Sequence, residues 1–200
     1  MKKQFVILSI IFLMIIPAFA SGEVYIPDNE YVGFYDHDGV YTVIGGVKNT
    51  EMYPVIPTVS VSVIDDDRIF SDKYKFSPIM PAQMLPLKIK LPQVTSENPI
   101  LEPPQISFEV TEYRFDGGYV LYDDSLILHD DGRMTGKIKN GGEQTFQNFR
   151  IYALIKDKNE NVLDVASSQK FDLMKPGDLL EFEMIPHPKI ADKINLYSCF

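Results

Sequence analysis

Apolar and polar residues alternate through most of the chain beyond residue 22. Residues 59–63 read Val-Ser-Val-Ser-Val, and the same period of two occurs at 87–91, 149–153 and 180–184. Strict alternation puts every second side chain on one face of a strand, whereas an apolar stripe at helical spacing is not sustained here. Turn-forming residues separate these segments: Asp38-Gly39, Asp131-Gly132, Asn140-Gly141-Gly142 and Lys175-Pro176-Gly177-Asp178. The pattern therefore predicts an all-β fold.

The order of these features occurs twice along the chain. Residues 45–49 (Gly-Gly-Val-Lys-Asn) match residues 136–140 (Gly-Lys-Ile-Lys-Asn), and residues 76–89 align without a gap on 171–184. Each copy has the length and strand spacing of an immunoglobulin-like sandwich. We predict two tandem immunoglobulin-like β-sandwich domains after an N-terminal signal peptide. The first β-sandwich module covers 21–112, and the second covers 113–200.

The N-terminus has the composition of an export signal. Lys2 and Lys3 precede an apolar run at 5–16, and Ala18-Phe19-Ala20 supplies the small residues that signal peptidase requires. The apolar run is shorter than the roughly 20 residues that cross a bilayer. We expect a signal peptide at 1–20 and a secreted, cell-surface or periplasmic protein with no membrane span after cleavage. An uncleaved signal anchor is the alternative.

Acidic residues outnumber basic ones, 28 to 19, and the formal net charge is −9. This balance disfavours nucleic acid and anionic membranes, which bind clustered Lys and Arg. Cys199 is the single cysteine, so an intramolecular disulfide is excluded. Three interpretations of Cys199 stay open: an apolar residue on a last strand, an intermolecular disulfide, or a reactive thiol.

The repeated elements also resemble a known family. The order of a Gly-x-Val-x-Asn strand, an alternating strand into an acidic turn, and a turn before a Phe-containing strand is similar to FxLYD-type and related immunoglobulin-like modules. These modules occur, often in tandem, in exported archaeal and bacterial proteins. The resemblance implies a fold and a compartment and carries no catalytic residue. The chain departs from the family at 155–157, which reads Ile-Lys-Asp in place of Leu-Tyr-Asp, and the literal Leu-Tyr-Asp lies at 121–123.

Acidic turns are the candidate metal sites. Calcium binds through carboxylate and carbonyl oxygens, which such turns supply. The weak candidates for calcium are Asp65, Asp66, Asp67, Asp123 and Asp124. His37 and His129 also stand beside acidic residues and offer nitrogen ligands. A turn rich in Asp is equally a normal strand ending.

Catalytic motifs do not appear in the sequence. It holds no Gly-x-Ser-x-Gly elbow, no His-Glu-x-x-His and no phosphate loop. We expect no enzyme, no catalytic residue and no cofactor other than a possible calcium ion. Tyrosine and phenylalanine crowd the start of the first module, where they form either a recognition patch or part of a strand core; they are Tyr25, Tyr31, Phe34, Tyr35 and Tyr41.

These features together favour an exported non-catalytic protein of the cell envelope or the extracellular space. It would act as a structural or adhesive spacer or as a protein-binding module, with other envelope or extracellular proteins as partners. The alternative is a soluble extracellular binding protein for a carbohydrate or a metal ion, using acidic loops or the inter-domain cleft. Whether the chain forms oligomers is left open by the sequence.

Overall fold

The computed structural model describes residues 22–36, 38–112, 120–122, 126–185 and 193–199, with the backbone alone for 120–122 and 193–199. These residues form sixteen strands and one 3-10 turn, Asp28–Glu30, and none of them is in an α-helix. The prediction of an all-β fold is confirmed. None of the described segments is a helix with the length and hydrophobicity needed to span a membrane.

Eight strands lie before residue 112 and eight after residue 119. The first eight are β1 (Val24–Tyr25), β2 (Val32–Tyr35), β3 (Tyr41–Asn49), β4 (Val55–Asp65), β5 (Arg68–Lys75), β6 (Met84–Leu91), β7 (Ile100–Leu101) and β8 (Gln105–Val110). The second eight are β9 (Val120–Tyr122), β10 (Ile127–Leu128), β11 (Met134–Asn140), β12 (Phe146–Lys156), β13 (Val162–Ser167), β14 (Phe171–Met174), β15 (Leu179–Met184) and β16 (Lys193–Cys199).

The strands form four antiparallel sheets of four strands each. In sheet I, β3 pairs with β1 and β2 on one side and with β6 on the other. In sheet II, β4 pairs with β5 and with β7 and β8. Sheet III is centred on β12, which pairs with β13, β14 and β16, and sheet IV is centred on β11, which pairs with β9, β10 and β15.

The sheets stack in the order II, I, III, IV. One apolar core lies between sheets I and II and includes Val43 and Val61. A second core lies between sheets III and IV and includes Ile151 and Phe182. A third, smaller cluster joins sheets I and III. The two inner sheets therefore bury apolar side chains on both faces.

The period of two explains which side chains enter each core. Along β4, buried and half-buried residues alternate without exception from Val55 to Asp65, because neighbouring side chains of a strand point to opposite faces. Residues 41–47 of β3 are all buried, since this strand has one face on the first core and the other against sheet III. The alternating pattern of the sequence did not predict that β3 is buried on both faces.

Glycine permits close packing at two positions of the central strands. A Cβ on Gly136 would lie 2.6 Å from Cζ of Phe182, so the Phe182 ring occupies the space that a side chain would need. A Cβ on Gly46 would lie 2.5 Å from Sδ of Met84 and 2.7 Å from Oε2 of Glu30. At both positions the missing Cβ leaves room for the side chains of neighbouring residues.

A buried asparagine ends both β3 and β11, and the two make matching hydrogen bonds. Asn49 Nδ2 donates to the carbonyl oxygens of Tyr53 at 3.0 Å and Ile79 at 2.9 Å, and its Oδ1 accepts from the backbone N–H of Glu51. Each asparagine thereby ties the end of its strand to the following turn and to a distant segment, which satisfies polar groups that burial would otherwise leave unpaired.

Asn140 repeats this arrangement in the second half. Its Nδ2 donates to the carbonyl oxygens of Gln144 and Met174, and its Oδ1 accepts from the N–H of Gly142. The backbone follows the same plan, since Ala82 N–H donates to Asn49 O and Gly177 N–H donates to Asn140 O, both at 2.9 Å. The turns that precede β6 and β15 therefore have the same geometry.

We predict that Phe182→Ala lowers the free energy of unfolding by about 3–5 kcal/mol, because it removes a ring that is 3% exposed and leaves a cavity against Gly136. Leu179→Ala on the same strand is the control, since Leu179 is 55% exposed, and should change stability by less than about 0.5 kcal/mol. Urea denaturation of both variants measures the difference, and equal losses would contradict this placement of the core.

Candidate functional site

The most unusual chemistry among the described residues lies at the contact between sheets I and III. Its apolar part, which we call the bridging cluster, has four buried members: Ile44, Leu154, Val162 and Val165. Val32, Phe34, Met84 and Tyr152 are partly buried and pack around them. Tyr152 and Leu154 of β12 reach this cluster, while the core with sheet IV takes Phe146, Phe149, Ile151, Ala153 and Ile155 from the same strand.

A buried ion pair crosses the same contact. Lys156 Nζ, at the end of β12, lies 2.8 Å from Oε1 of Glu30 in the 3-10 turn. The two side chains are 7% and 5% exposed, so both charges are almost fully removed from water. Burial of either charge without the other would be strongly unfavourable, and the pair therefore fixes the relative position of the two sheets.

Two further lysine contacts surround Glu30 and the edge of the cluster. Lys48 Nζ approaches Glu30 Oε1 at 3.5 Å from the solvent side. Lys88 Nζ on β6 donates to Asp164 Oδ1 and to the carbonyl oxygen of Val165 on β13, each at 2.9 Å. Asp164 is itself 2% exposed. Each side of the bridging cluster therefore carries a lysine from one sheet bound to an acid from the other.

The two adjacent glycines of β3, Gly45 and Gly46, leave room for Glu30 to pack against that strand. Its Oε2 is buried and has no hydrogen-bond partner in the structure, and it lies against Gly46, where a side chain would collide with it. The Glu30 carbonyl oxygen would lie 3.2 Å from a Cβ on Gly45. Any larger residue at these two positions would push the carboxylate away from Lys156.

A shallow depression of about 560 Å³ opens beside this contact. Lys88 contributes from sheet I, and Arg150, Ser168 and Ile185 contribute from the second half. The cations are already engaged, since Lys88 binds Asp164 and Arg150 donates to the carbonyl oxygen of Ser168. The contact itself is filled by apolar side chains, so the depression at its rim is the open space nearest to it that the described residues line.

Asp65 has a structural role in which its carboxylate binds the backbone of a distant segment. It is fully buried at the end of β4, and its two carboxylate oxygens accept the backbone N–H groups of Thr95 and Ser96, each at 3.0 Å. Hydrogen bonding from Ser96 and Thr95 holds the Asp65 pKa below its usual value, and burial opposes the shift. The carboxylate therefore anchors the segment after β6 to the turn between β4 and β5.

Of the other calcium candidates, the structure describes Asp66 and Asp67. Asp66 and Asp67 form the exposed turn that follows Asp65, and Asp66 has a positive φ of 53°. Asp123 and Asp124 lie outside the described residues. Across the described ranges, no group of three or more His, Cys, Asp or Glu side chains is arranged to hold a metal ion. The calcium hypothesis stays a prediction.

The turn that begins at His129 has the same backbone hydrogen bond as the turn that begins at Asp36. His129 N–H donates to the carbonyl of Arg133, as Asp36 N–H donates to that of Val40. His129 Nε2 contacts Thr135 Oγ1 at 2.9 Å. By hydrogen bonding, the equivalent of His129 is therefore Asp36, whereas His37 lies outside the described residues.

Asp36 takes part in an ion pair on the surface of sheet I. Lys90 Nζ lies 2.7 Å from its Oδ2. The hydrogen bond from Lys90 holds the pKa of Asp36 well below its usual range, aided by the N–H groups of Val40 and Asp38 and opposed by desolvation. The same pairing raises the pKa of Lys90. These contacts stabilise the turn.

The N-terminal aromatic residues belong mainly to the packing. Tyr41 is 4% exposed and meets Tyr35 edge to face at 5.2 Å between ring centroids. Tyr31 packs against the first core, and burial raises the pKa of its hydroxyl. Phe34 joins the bridging cluster. Tyr25 is half-buried, and Tyr35, 37% exposed, donates its hydroxyl to the carbonyl of Ser96.

Cys199 is the last residue of β16, and its backbone pairs with Arg150. This places it on a strand at the end of the chain, and its side chain lies outside the described part. The sequence pattern did not indicate Glu30, Lys156, Lys88 or Asp164. The alternation places Lys156 on the same face of β12 as Arg150 and Tyr152, so it gave no signal that this lysine is buried.

We predict that Glu30→Leu and Lys156→Met each lower the free energy of unfolding by up to about 3–5 kcal/mol, because each leaves a buried charge without its closest partner. The contacts that remain are longer: Lys156 keeps Glu160 at 3.8 Å, and Glu30 keeps Lys48 at 3.5 Å. The double variant should recover most of the loss, since both charges are then gone. Chemical denaturation of the four proteins gives the coupling energy.

The exposed pair of Lys75 and Glu109, with side chains 57% and 70% exposed, is the matched control. Its coupling energy should stay below about 1 kcal/mol. A coupling energy between Glu30 and Lys156 as small as that of the control would contradict the buried pair.

The calcium hypothesis predicts a higher melting temperature in millimolar calcium than in EDTA, because an ion bound only to the folded state stabilises it. Replacing Asp66 and Asp67 with Asn removes the rise if the first turn is the site. The same change at Asp123 and Asp124 removes it if the second segment is the site. Equal melting temperatures in calcium and in EDTA would rule the hypothesis out.

Comparisons with known proteins place the chain in no family. No family model and no curated protein matches it. Among solved structures, the exo-chitosanase CsxA of Amycolatopsis orientalis, in complex with PNP-β-D-glucosamine, is 13% identical with a TM-score of 0.25, and the match covers 80% of this chain and 24% of that one. Red sea bream transglutaminase is 9% identical with a TM-score of 0.24, over 89% of this chain and 31% of that one. The chain thus spans less than a third of the length of either protein, and neither likeness bears on its function.

Proposed function

We propose that the chain is an exported, non-catalytic protein of the cell envelope or extracellular space, built from two tandem immunoglobulin-like sandwiches. It serves as a structural or adhesive spacer or as a protein-binding module, and its partners are other envelope or extracellular proteins. A signal peptide at 1–20 directs export, and the mature chain begins at Ser21.

The observation that carries the two-module proposal is the matching pair of buried asparagines. Ile79 and Met174 are aligned by the sequence offset of 95 (174 minus 79), and their carbonyl oxygens accept from Asn49 and Asn140 respectively. Strand pairing agrees with the alignment of both segments, because Gly45 lies opposite Leu87 and Gly136, its match, lies opposite Phe182, the match of Leu87. Duplication of one ancestral module accounts for this agreement.

The contact between sheets I and III supports a mechanical rather than a catalytic role. Its charged residues bind one another across the contact, as Lys156 binds Glu30 and Lys88 binds Asp164. Side chains arranged in this way hold two modules at a fixed orientation. A protein that presents a surface at a set distance from its anchor benefits from such rigidity.

The alternative is a binding protein for a carbohydrate or a metal ion. The bridging cluster fills the contact between sheets I and III and leaves a ligand no room inside it. The depression beside Arg150 and the acidic turns are other places where a ligand could bind. We therefore favour the protein-binding role over this alternative.

Export is tested with the full chain carrying a C-terminal tag. We expect the tagged protein in the envelope or medium fraction, beginning at Ser21 by N-terminal sequencing. A matched variant with Ile11→Arg in the apolar run should stay in the cytoplasm, because the charge interrupts the export signal. A wild-type protein that stays cytoplasmic and retains Met1 would contradict the proposal.

The binding role is tested separately. Crosslinking and capture from envelope extract should identify a protein partner, and thermal-shift measurements with glycans and metal ions should show no stabilisation. Stabilisation by a glycan or a metal ion, with no protein captured, would favour the alternative.

A further inference from the structure

One of the two buried asparagines that end the central strands is followed directly by glycine. Asn140-Gly141 is the single Asn-Gly pair of the sequence. In such a pair the backbone nitrogen of the glycine can attack Cγ of the asparagine, because glycine has no Cβ to obstruct the approach. A bond forms between this nitrogen and Cγ, the bond from Cγ to Nδ2 breaks, and ammonia leaves. Water then opens the five-membered ring to aspartate or isoaspartate, so Asn140 has the sequence of a deamidation site.

The folded structure holds the side chain of Asn140 at both of its polar atoms. Nδ2 donates to the carbonyl oxygens of Gln144 at 2.6 Å and Met174 at 3.2 Å, and Oδ1 accepts from the N–H of Gly142 at 3.0 Å. We call these three hydrogen bonds the Asn140 brace. Attack at Cγ releases Nδ2, so the two bonds that Nδ2 donates cannot survive the reaction. Asn140 is also 1% exposed, and deamidation therefore has to wait until the brace opens.

The turn that follows Asn140 provides a route for this opening. Residues 143–145 are exposed, whereas Phe146 is buried again. Exposed turns open locally at a lower free energy than the whole structure. Movement of this turn breaks the bonds to Gly142 and Gln144 together and brings water to the side chain. The rate of deamidation then depends on how often the brace is open.

The products of deamidation cannot form the brace again. Aspartate has two acceptor oxygens and no donor, so one of them would replace Nδ2 against the carbonyl oxygens of Gln144 and Met174. A buried negative charge without a donor is strongly unfavourable. Isoaspartate also adds Cβ to the main chain, where the Asn140 N–H donates to Asp178 and its carbonyl accepts from Gly177. Either product thus disrupts the turn that precedes β15.

The first half of the chain has the same brace without the reactive sequence. Asn49 donates to Tyr53 and Ile79 and accepts from the N–H of Glu51. The residue after it is Thr50, which occupies the position of Gly141. A β-branched side chain obstructs the backbone nitrogen that would attack. The chain therefore carries its own comparison, with one geometry and two different following residues.

We propose that Asn140 is a deamidation site that reacts only when its brace opens, and that the reaction prevents the brace from forming again. Opening of the second half is then recorded as a permanent chemical change. Water is the only co-reactant, and ammonia is the product that leaves. The proposal goes beyond the proposed function, because it concerns the purified chain and requires no partner or compartment.

Peptide mapping by mass spectrometry tests the proposal on the full chain at mildly alkaline pH, with one sample folded and one unfolded in urea. In urea, Asn140 should convert well before Asn49. In the folded sample the conversion of Asn140 should be at least about tenfold slower, which corresponds to an opening free energy of about 1.4 kcal/mol. Conversion at the same rate in the folded and unfolded samples would overturn the proposal.

Two variants separate the sequence effect from the effect of the product. Gly141→Thr supplies the residue that follows Asn49, and it should abolish the early conversion in urea, a result that does not require the variant to fold. Asn140→Asp reproduces one product, and its urea midpoint should lie below that of Asn159→Asp, the control on an exposed turn. If Asn140→Asp does not fold, Asn140→Ala, which removes the side-chain bonds without adding a charge, takes its place. Early conversion that persists in Gly141→Thr would contradict the proposal, as would a change at Asn140 that costs no more stability than the control.

Discussion

The structure depends on one constraint: the charges of Glu30 and Lys156 are both buried, so they must pair with each other. The two residues are 126 positions apart, yet their atoms lie 2.8 Å from each other between the inner sheets. A lysine or a glutamate buried alone would cost several kcal/mol. The pairing therefore selects one orientation of sheet I on sheet III. Around it, β3 is buried on both faces, and the glycines at 45 and 46 leave room for the carboxylate.

Much of the fold follows from local sequence. The period of two correctly assigned which side chains of β4 face the core, because alternation records burial directly. The offset between 76–89 and 171–184 also located equivalent turns, since glycine and proline positions are fixed by backbone geometry as well as by packing. Asn49 and Asn140 were recognised as strand endings. Their role in tying distant segments together required the structure, because one of the two carbonyl groups that each side chain binds lies 30 residues away for Asn49 and 34 for Asn140.

The site was much harder to predict. Asp65 was a weak candidate for calcium together with Asp66 and Asp67, because composition alone cannot tell a carboxylate that faces solvent from one that accepts two backbone N–H groups. Lys156 looked like an ordinary residue of an acidic turn. Its importance arises from the packing of one sheet on another, which leaves no periodic trace in either strand.

The buried contact between sheets I and III also limits how this chain can evolve. If the first half were separated from the second, the side of sheet I that carries Ile44 would be exposed to water. Glu30 would also lose its partner, Lys156. Neither half would then be an independent folding unit, so recombination could not transfer one half alone to another gene, as it can with domains that do not contact each other. A change at one of these ion pairs needs an answering change 76 or 126 residues away, so the two halves are inherited together.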